Sequence, residues 1–106
     1  MSVPLYRAKA DLLRMLGHPV RIRVLELLQA GPMAVRDLLA RTEVESSTLS
    51  QRLAALHRSG IVISAREGST VVYAVAGSEV GELLRAARRI LTELLTVPQE
   101  DGVVAP

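Results

Sequence analysis

The stretch STLSQRLAALHRSGIV, residues 47–62, decides the fold. Leu49, Leu53 and Leu56 fall within about 60° of each other on a helical wheel and predict the buried side of a helix. The opposite face carries hydroxyl, amide and guanidinium groups, where a merely solvated helix would be rich in Glu and Lys. Gly60 predicts a left-handed residue just after the helix, because glycine adopts positive φ without strain. The stretch therefore predicts a helix that offers short hydrogen-bonding side chains to a partner.

Further elements are predicted on both sides of this helix. Apolar residues at helical spacing predict four more helices, over residues 5–16, 19–28, 35–41 and 78–96. Two β-branched runs around REGS, residues 66–69, predict a hairpin. We expect a mainly α-helical fold with a small β-hairpin wing, in the order α-α-α-α-β-β-α, which is a winged helix-turn-helix over residues 1–97. The tail of residues 98–106, which contains Pro and Gly, is predicted to be disordered.

Composition excludes several classes of protein. A chain of 106 residues with 49% hydrophobic residues is one folded domain by length and too apolar for a disordered protein. The absence of cysteine excludes disulfides and thiolate metal sites. No apolar run approaches the length of a bilayer span, and the N-terminal residues do not have the layout of a signal peptide. We therefore expect a cytoplasmic protein with no membrane partner.

The polar face of residues 47–58 has the chemistry of a helix that binds double-stranded DNA. Ser and Thr hydroxyls bind phosphates, while Gln and Arg side chains reach base edges in the major groove. The net charge is only +2, but every basic residue except Lys9 is an arginine. Arginine binds phosphate and guanine through two parallel hydrogen bonds. The alternative is an ordinary solvated helix in a small bundle. The predicted DNA-binding residues are Ser47, Thr48, Ser50, Gln51, Arg52, Arg58, Arg66, Ser69 and Thr70.

Two segments carry a resemblance to a known family. MLGHPVRIRVLELL, residues 15–28, and VRDLLARTEVESSTLSQRLAALHRSGIVISAREGSTVVYAV, residues 35–75, resemble the ArsR/SmtB family of winged helix-turn-helix transcriptional repressors. The resemblance implies a homodimer that binds a promoter palindrome and blocks transcription. It also implies a dimer interface formed by the first and last helices. The predicted interface residues are Leu5, Leu12, Val80, Leu84, Ala87, Leu91 and Leu94.

The chain departs from the metal-sensing members of that family. The family's thiolate pair falls on Ala34 and Arg36, which have no metal-binding group. A second family site, between the paired last helices, retains two carboxylates, Glu79 and Glu93, and no imidazole. These glutamates are also expected to form ion pairs with Arg85, Arg88 or Arg89.

Both histidines have a structural and a ligating interpretation. His18 lies in a helix stop and N-cap region, and His57 lies near the end of the predicted DNA-binding helix, where it can contact a phosphate or the helix terminus. With Glu79 and Glu93 they are the candidates for a nitrogen and oxygen site that would suit nickel or zinc. A metal-responsive regulator of that kind is one alternative function, although no cofactor is predicted outright.

Two function classes other than a DNA-binding repressor are considered, a protein-interaction co-regulator and an enzyme. A protein-interaction co-regulator is favoured by the small net charge and by the broad apolar stripe of the last helix. An enzyme is disfavoured, because the sequence contains no nucleophile elbow, no Gly-rich phosphate loop and no HExxH motif.

Overall fold

The structure is a computed structural model that describes residues 2–95. Residues 2–76 form one unit, and residues 77–95 form a second unit that contains the last described helix. The first unit contains four helices and three strands, and its elements are α1 (Leu5–Leu16), α2 (Pro19–Leu28), β1 (Met33–Ala34), α3 (Val35–Thr42), α4 (Ser46–Arg58), β2 (Val62–Glu67) and β3 (Thr70–Val75). The second unit contains α5 (Glu79–Leu95).

The junction between α1 and α2 is fixed by local hydrogen bonds. His18 is the N-cap of α2, where its Nδ1 accepts a hydrogen bond from the backbone N–H of Val20 at 3.1 Å. Pro19 follows at the first helical position, where its missing N–H costs no hydrogen bond. Arg21 donates from Nη1 to the carbonyl of Met15 at 2.6 Å and so ties the start of α2 to the end of α1. The structural interpretation of His18 is confirmed.

The core of the first unit is built from aliphatic side chains of α2, α3 and α4. Each fully buried leucine or valine stabilises the fold by about 1.5–3 kcal/mol relative to an exposed one. Among the described residues no polar or charged residue is buried. The large side chains with less than 2% exposure are Val24, Leu25, Leu28, Leu38, Leu49, Leu56 and Val62, and Leu53 is 2% exposed.

The sheet has three antiparallel strands in the order β1-β3-β2. Strands β2 and β3 form the predicted hairpin, which turns at Gly68 with φ 66°, a conformation that L-residues rarely adopt. Strand β1 pairs Met33 with Tyr73 and Ala34 with Val72, and it was absent from the sequence prediction. Two residues are too few to show an alternating pattern, so the prediction of two strands was incomplete.

A tight turn joins α3 to α4. Glu43 ends α3 in the left-handed conformation, φ 56°, and its N–H donates to the carbonyl of Leu39 at 3.2 Å. The hydroxyl of Thr42 donates to the carbonyl of Leu38 at 2.8 Å, which satisfies another helix-end acceptor. Helix α3, this short turn and helix α4 therefore follow one another directly, as in a helix-turn-helix.

Helix α5 carries an apolar stripe over its whole length. Leu91 is 47% exposed and Leu94 is 73% exposed. Between residues 77 and 95, neither Glu79 nor Glu93 forms an ion pair with an arginine of its own helix, so the expected pairs are not formed within this unit. The predicted tail of residues 98–106 lies outside the described residues.

Candidate nucleic-acid interface

Buried leucines set the rotation of α4. Leu49, Leu53 and Leu56 are 1%, 2% and 0% exposed, as their spacing predicted. Because they recur at helical spacing, the helix cannot rotate about its axis without exposing them. The predicted DNA-binding residues that this rotation leaves exposed are Ser47, Ser50, Gln51 and Arg58.

Arg52 and Thr48 lie at the edges of this polar face, and both are half-buried. The Nε atom of Arg52 is shielded from solvent and has no hydrogen-bond partner among residues 2–95. Partial burial lowers the pKa of His18, and the guanidinium groups of Arg52 and Arg21 lower it further. The half-buried position of Arg52 agrees with its place beside the buried leucines on the helical wheel, and it leaves only part of the side chain available to DNA.

The wing places the other predicted contacts at the tip of the hairpin. Arg66 and Ser69 are exposed, and Thr70 is half-buried. Arg66 lies directly opposite Val71 in the β2–β3 register, so the two side chains are on the same face of the sheet.

His57 has a partner that sequence reasoning missed. The imidazole is exposed and meets the ring of Tyr73 edge to face, with centroids 6.5 Å apart and an interplanar angle of 89°. Aromatic pairs of this geometry are attractive. The contact joins the C-terminal end of α4 to β3, the middle strand of the sheet. The partner is 16 positions away, beyond the reach of any local pattern.

Neither histidine belongs to a cluster of candidate metal ligands within residues 2–95. Among the described residues no three His, Asp or Glu side chains lie close enough to hold a metal ion. His18 already uses Nδ1 as a hydrogen-bond acceptor, and His57 packs on Tyr73. Within residues 2–95, no helix has both the length and the hydropathy needed to span a bilayer.

An open groove lies between α3 and the wing, and the sequence did not reveal it. Its volume is about 510 Å³. It brings the first turn of α3 together with the start of β3, which are more than 30 positions apart. The lining residues are Val35, Arg36, Leu39, Ser69, Thr70 and Val71.

Known proteins are similar to this chain in sequence and in the arrangement of their elements. The family model described as "Bacterial regulatory protein, arsR family" matches residues 18–64. The uncharacterised HTH-type transcriptional regulator Rv0081 of Mycobacterium tuberculosis is 43% identical over 90% of this chain and 84% of its own length. This chain belongs to the ArsR family of bacterial regulatory proteins. The resemblance noted from the sequence is confirmed, and the family's proteins are regulators rather than enzymes.

Solved structures of relatives confirm the winged helix-turn-helix fold. The crystal structure of Rv0081 superposes with a TM-score of 0.81, covering 90% of this chain and 96% of that one. The transcriptional repressor BigR from Xylella fastidiosa is 32% identical, with a TM-score of 0.75 over 80% of this chain and 87% of its own. The homodimeric winged helix-turn-helix domain of Mb0332 from Mycobacterium bovis is 28% identical, with a TM-score of 0.75 over 91% and 90% of the two chains.

Proposed function

We propose that this protein is a transcriptional repressor that binds a palindromic promoter site as a homodimer. The observation that carries the proposal is the exposed polar face of α4, where Ser47, Gln51 and Arg58 lie opposite three buried leucines and the exposed Ser50 lies at one flank. Hydroxyl groups at the start of such a helix bind phosphates, and Gln51 and Arg58 have the donors and acceptors that distinguish base edges. Arg66, Ser69 and Thr70 of the wing contact the adjoining backbone or minor groove.

Dimerisation is supported by the apolar surface of both terminal helices. Leu5 and Leu12 of α1 are 69% and 44% exposed, and Leu91 and Leu94 of α5 are exposed as well. Large exposed apolar patches mark interaction surfaces, and the related Mb0332 domain is homodimeric. A two-fold dimer places two recognition helices in successive major grooves, roughly 34 Å apart, which explains why its operator would be palindromic.

The trigger that we propose is not a thiolate-bound metal, because Ala34 and Arg36 occupy the positions where the family's thiolate pair would lie. No cluster among the described residues favours the nickel or zinc alternative. The co-regulator alternative is favoured by one observation, the exposed stripe of α5, which another protein could cover in place of a second copy.

The test of base recognition compares Gln51→Ala with the unchanged protein on operator and random DNA. Loss of a side chain that reads a base lowers discrimination between the two DNAs by about 1–3 kcal/mol. Gln29→Ala is the control, because Gln29 is an exposed glutamine at the end of α2, outside the helix-turn-helix. Fluorescence anisotropy with both DNAs measures the effect. An equal loss on operator and random DNA would show that Gln51 does not read bases.

A further inference from the structure

We infer that the groove between α3 and the wing binds the sugar–phosphate backbone of the DNA, with Arg36 as its phosphate-binding residue. This inference rests on the proposed function and adds a contact to it. Arg36 departs from the family's thiolate pattern, and the predicted DNA-binding residues do not include it.

The lining of the groove is complementary to a backbone segment. Arg36 is the one charged residue of the six that line it, and Ser69 and Thr70 add two hydroxyl groups. Guanidinium and hydroxyl groups are the side-chain donors that proteins use most for phosphate oxygens. Val35, Leu39 and Val71 add apolar surface to the lining, which suits the carbon atoms of a deoxyribose.

Arg36 is available to bind an anion. Its side chain is exposed, and it forms no ion pair with any residue between 2 and 95. Two acidic residues lie near the groove residues: Asp37 follows Arg36 in the sequence, and Glu67 pairs with Thr70 in the hairpin. Neither of them lines the groove.

The position of the groove also agrees with how a duplex would lie. When α4 occupies a major groove and the wing tip reaches the adjoining minor groove, one sugar–phosphate strand separates the two. In helix-turn-helix proteins the first helix of the motif crosses the DNA backbone, and α3 is that helix here. A groove that is open along one side accepts such a continuous strand more readily than an enclosed cavity would.

The experiment measures DNA affinity of Arg36→Gln as a function of salt concentration. Arg41→Gln is the matched control, because it removes the same charge from the exposed last turn of the same helix, away from the groove. We expect Arg36→Gln to weaken binding to operator and random DNA equally, by about tenfold. The slope of log K against log salt should fall by about 0.9, the value of one phosphate contact. Arg41→Gln should leave the slope unchanged.

The outcomes separate this inference from the function on which it rests. If the unchanged protein selects no operator, the proposed function fails. If it does select one, and Arg36→Gln keeps the full salt slope, the groove assignment alone is wrong. Circular dichroism establishes that both variants are folded, and Ser69→Ala provides a second test, with weaker binding and an unchanged slope expected.

A small organic anion is the competing occupant of the groove. Titration of the free protein with butyrate, followed by amide NMR, tests it directly. Shifts confined to Arg36, Leu39 and Val71, together with normal DNA binding by Arg36→Gln, would overturn the backbone assignment.

Discussion

Leu91→Ala should weaken the proposed homodimer without unfolding the chain. Leu91 lies on the apolar stripe of α5 and keeps 47% of its surface exposed in a single copy. Full burial of a leucine stabilises by about 2 kcal/mol, so covering this remaining half contributes about 1 kcal/mol per copy. Because both copies bury Leu91 in a two-fold interface, the stabilisation doubles to about 2 kcal/mol per dimer. Since 1.4 kcal/mol is a tenfold change, the dimer dissociation constant should rise about 30-fold.

Sedimentation equilibrium over a range of protein concentrations measures that constant. Thr92→Ala is the control, because Thr92 is the next residue, lies about 100° further round the helix, and bonds only to the carbonyl of Arg88 within the described chain. A Leu91→Ala dissociation constant within threefold of the control would refute the assignment of this stripe to the interface. A sample that stays monomeric until another protein is added would instead favour the co-regulator alternative.

Three further predictions concern stability. The pKa of His18 in the folded state lies below its ordinary value of 6.5, so folding favours the neutral ring. The resulting contribution to the free energy of unfolding is fully present above about pH 6.5, and it is lost as the pH falls through the folded-state pKa. His18→Asn keeps a capping acceptor that does not titrate, so the variant should lose less stability in acid when urea unfolding is measured at several pH values. An unchanged pH profile would contradict the conclusion that His18 causes this loss. Leu56→Ala should cost about 2–5 kcal/mol of unfolding free energy, against about 0.5 kcal/mol or less for the exposed Ser50→Ala; equal effects would contradict the burial of Leu56. Glu43→Gly should raise the melting temperature, because glycine adopts the φ of 56° with less strain; a lower melting temperature would mean that other contacts of Glu43 outweigh the strain.

Local patterns predicted the elements whose stabilising contacts repeat at a fixed spacing. The three leucines of α4 and the hairpin around Gly68 follow from periods of 3.6 and 2 residues. The N-cap at His18 followed from the adjacent helix breaks at Gly17 and Pro19.

Features that depend on distant residues or on unusual backbone were not predictable in this way. Strand β1 exists because Met33 and Ala34 pair with β3, about 40 positions later. The left-handed Glu43 has no glycine or asparagine to mark it. The groove beside Arg36 arises from packing between elements, which a helical wheel does not represent.

The most direct test of the central claim is selection of bound sequences from a random duplex library with the purified protein, at low and at near-physiological salt. The account predicts a two-fold symmetric motif that persists at the higher salt, because base contacts by α4 add specificity to the electrostatic term. Enrichment that disappears at the higher salt and leaves no motif would contradict it, since only non-specific attraction to phosphates would remain.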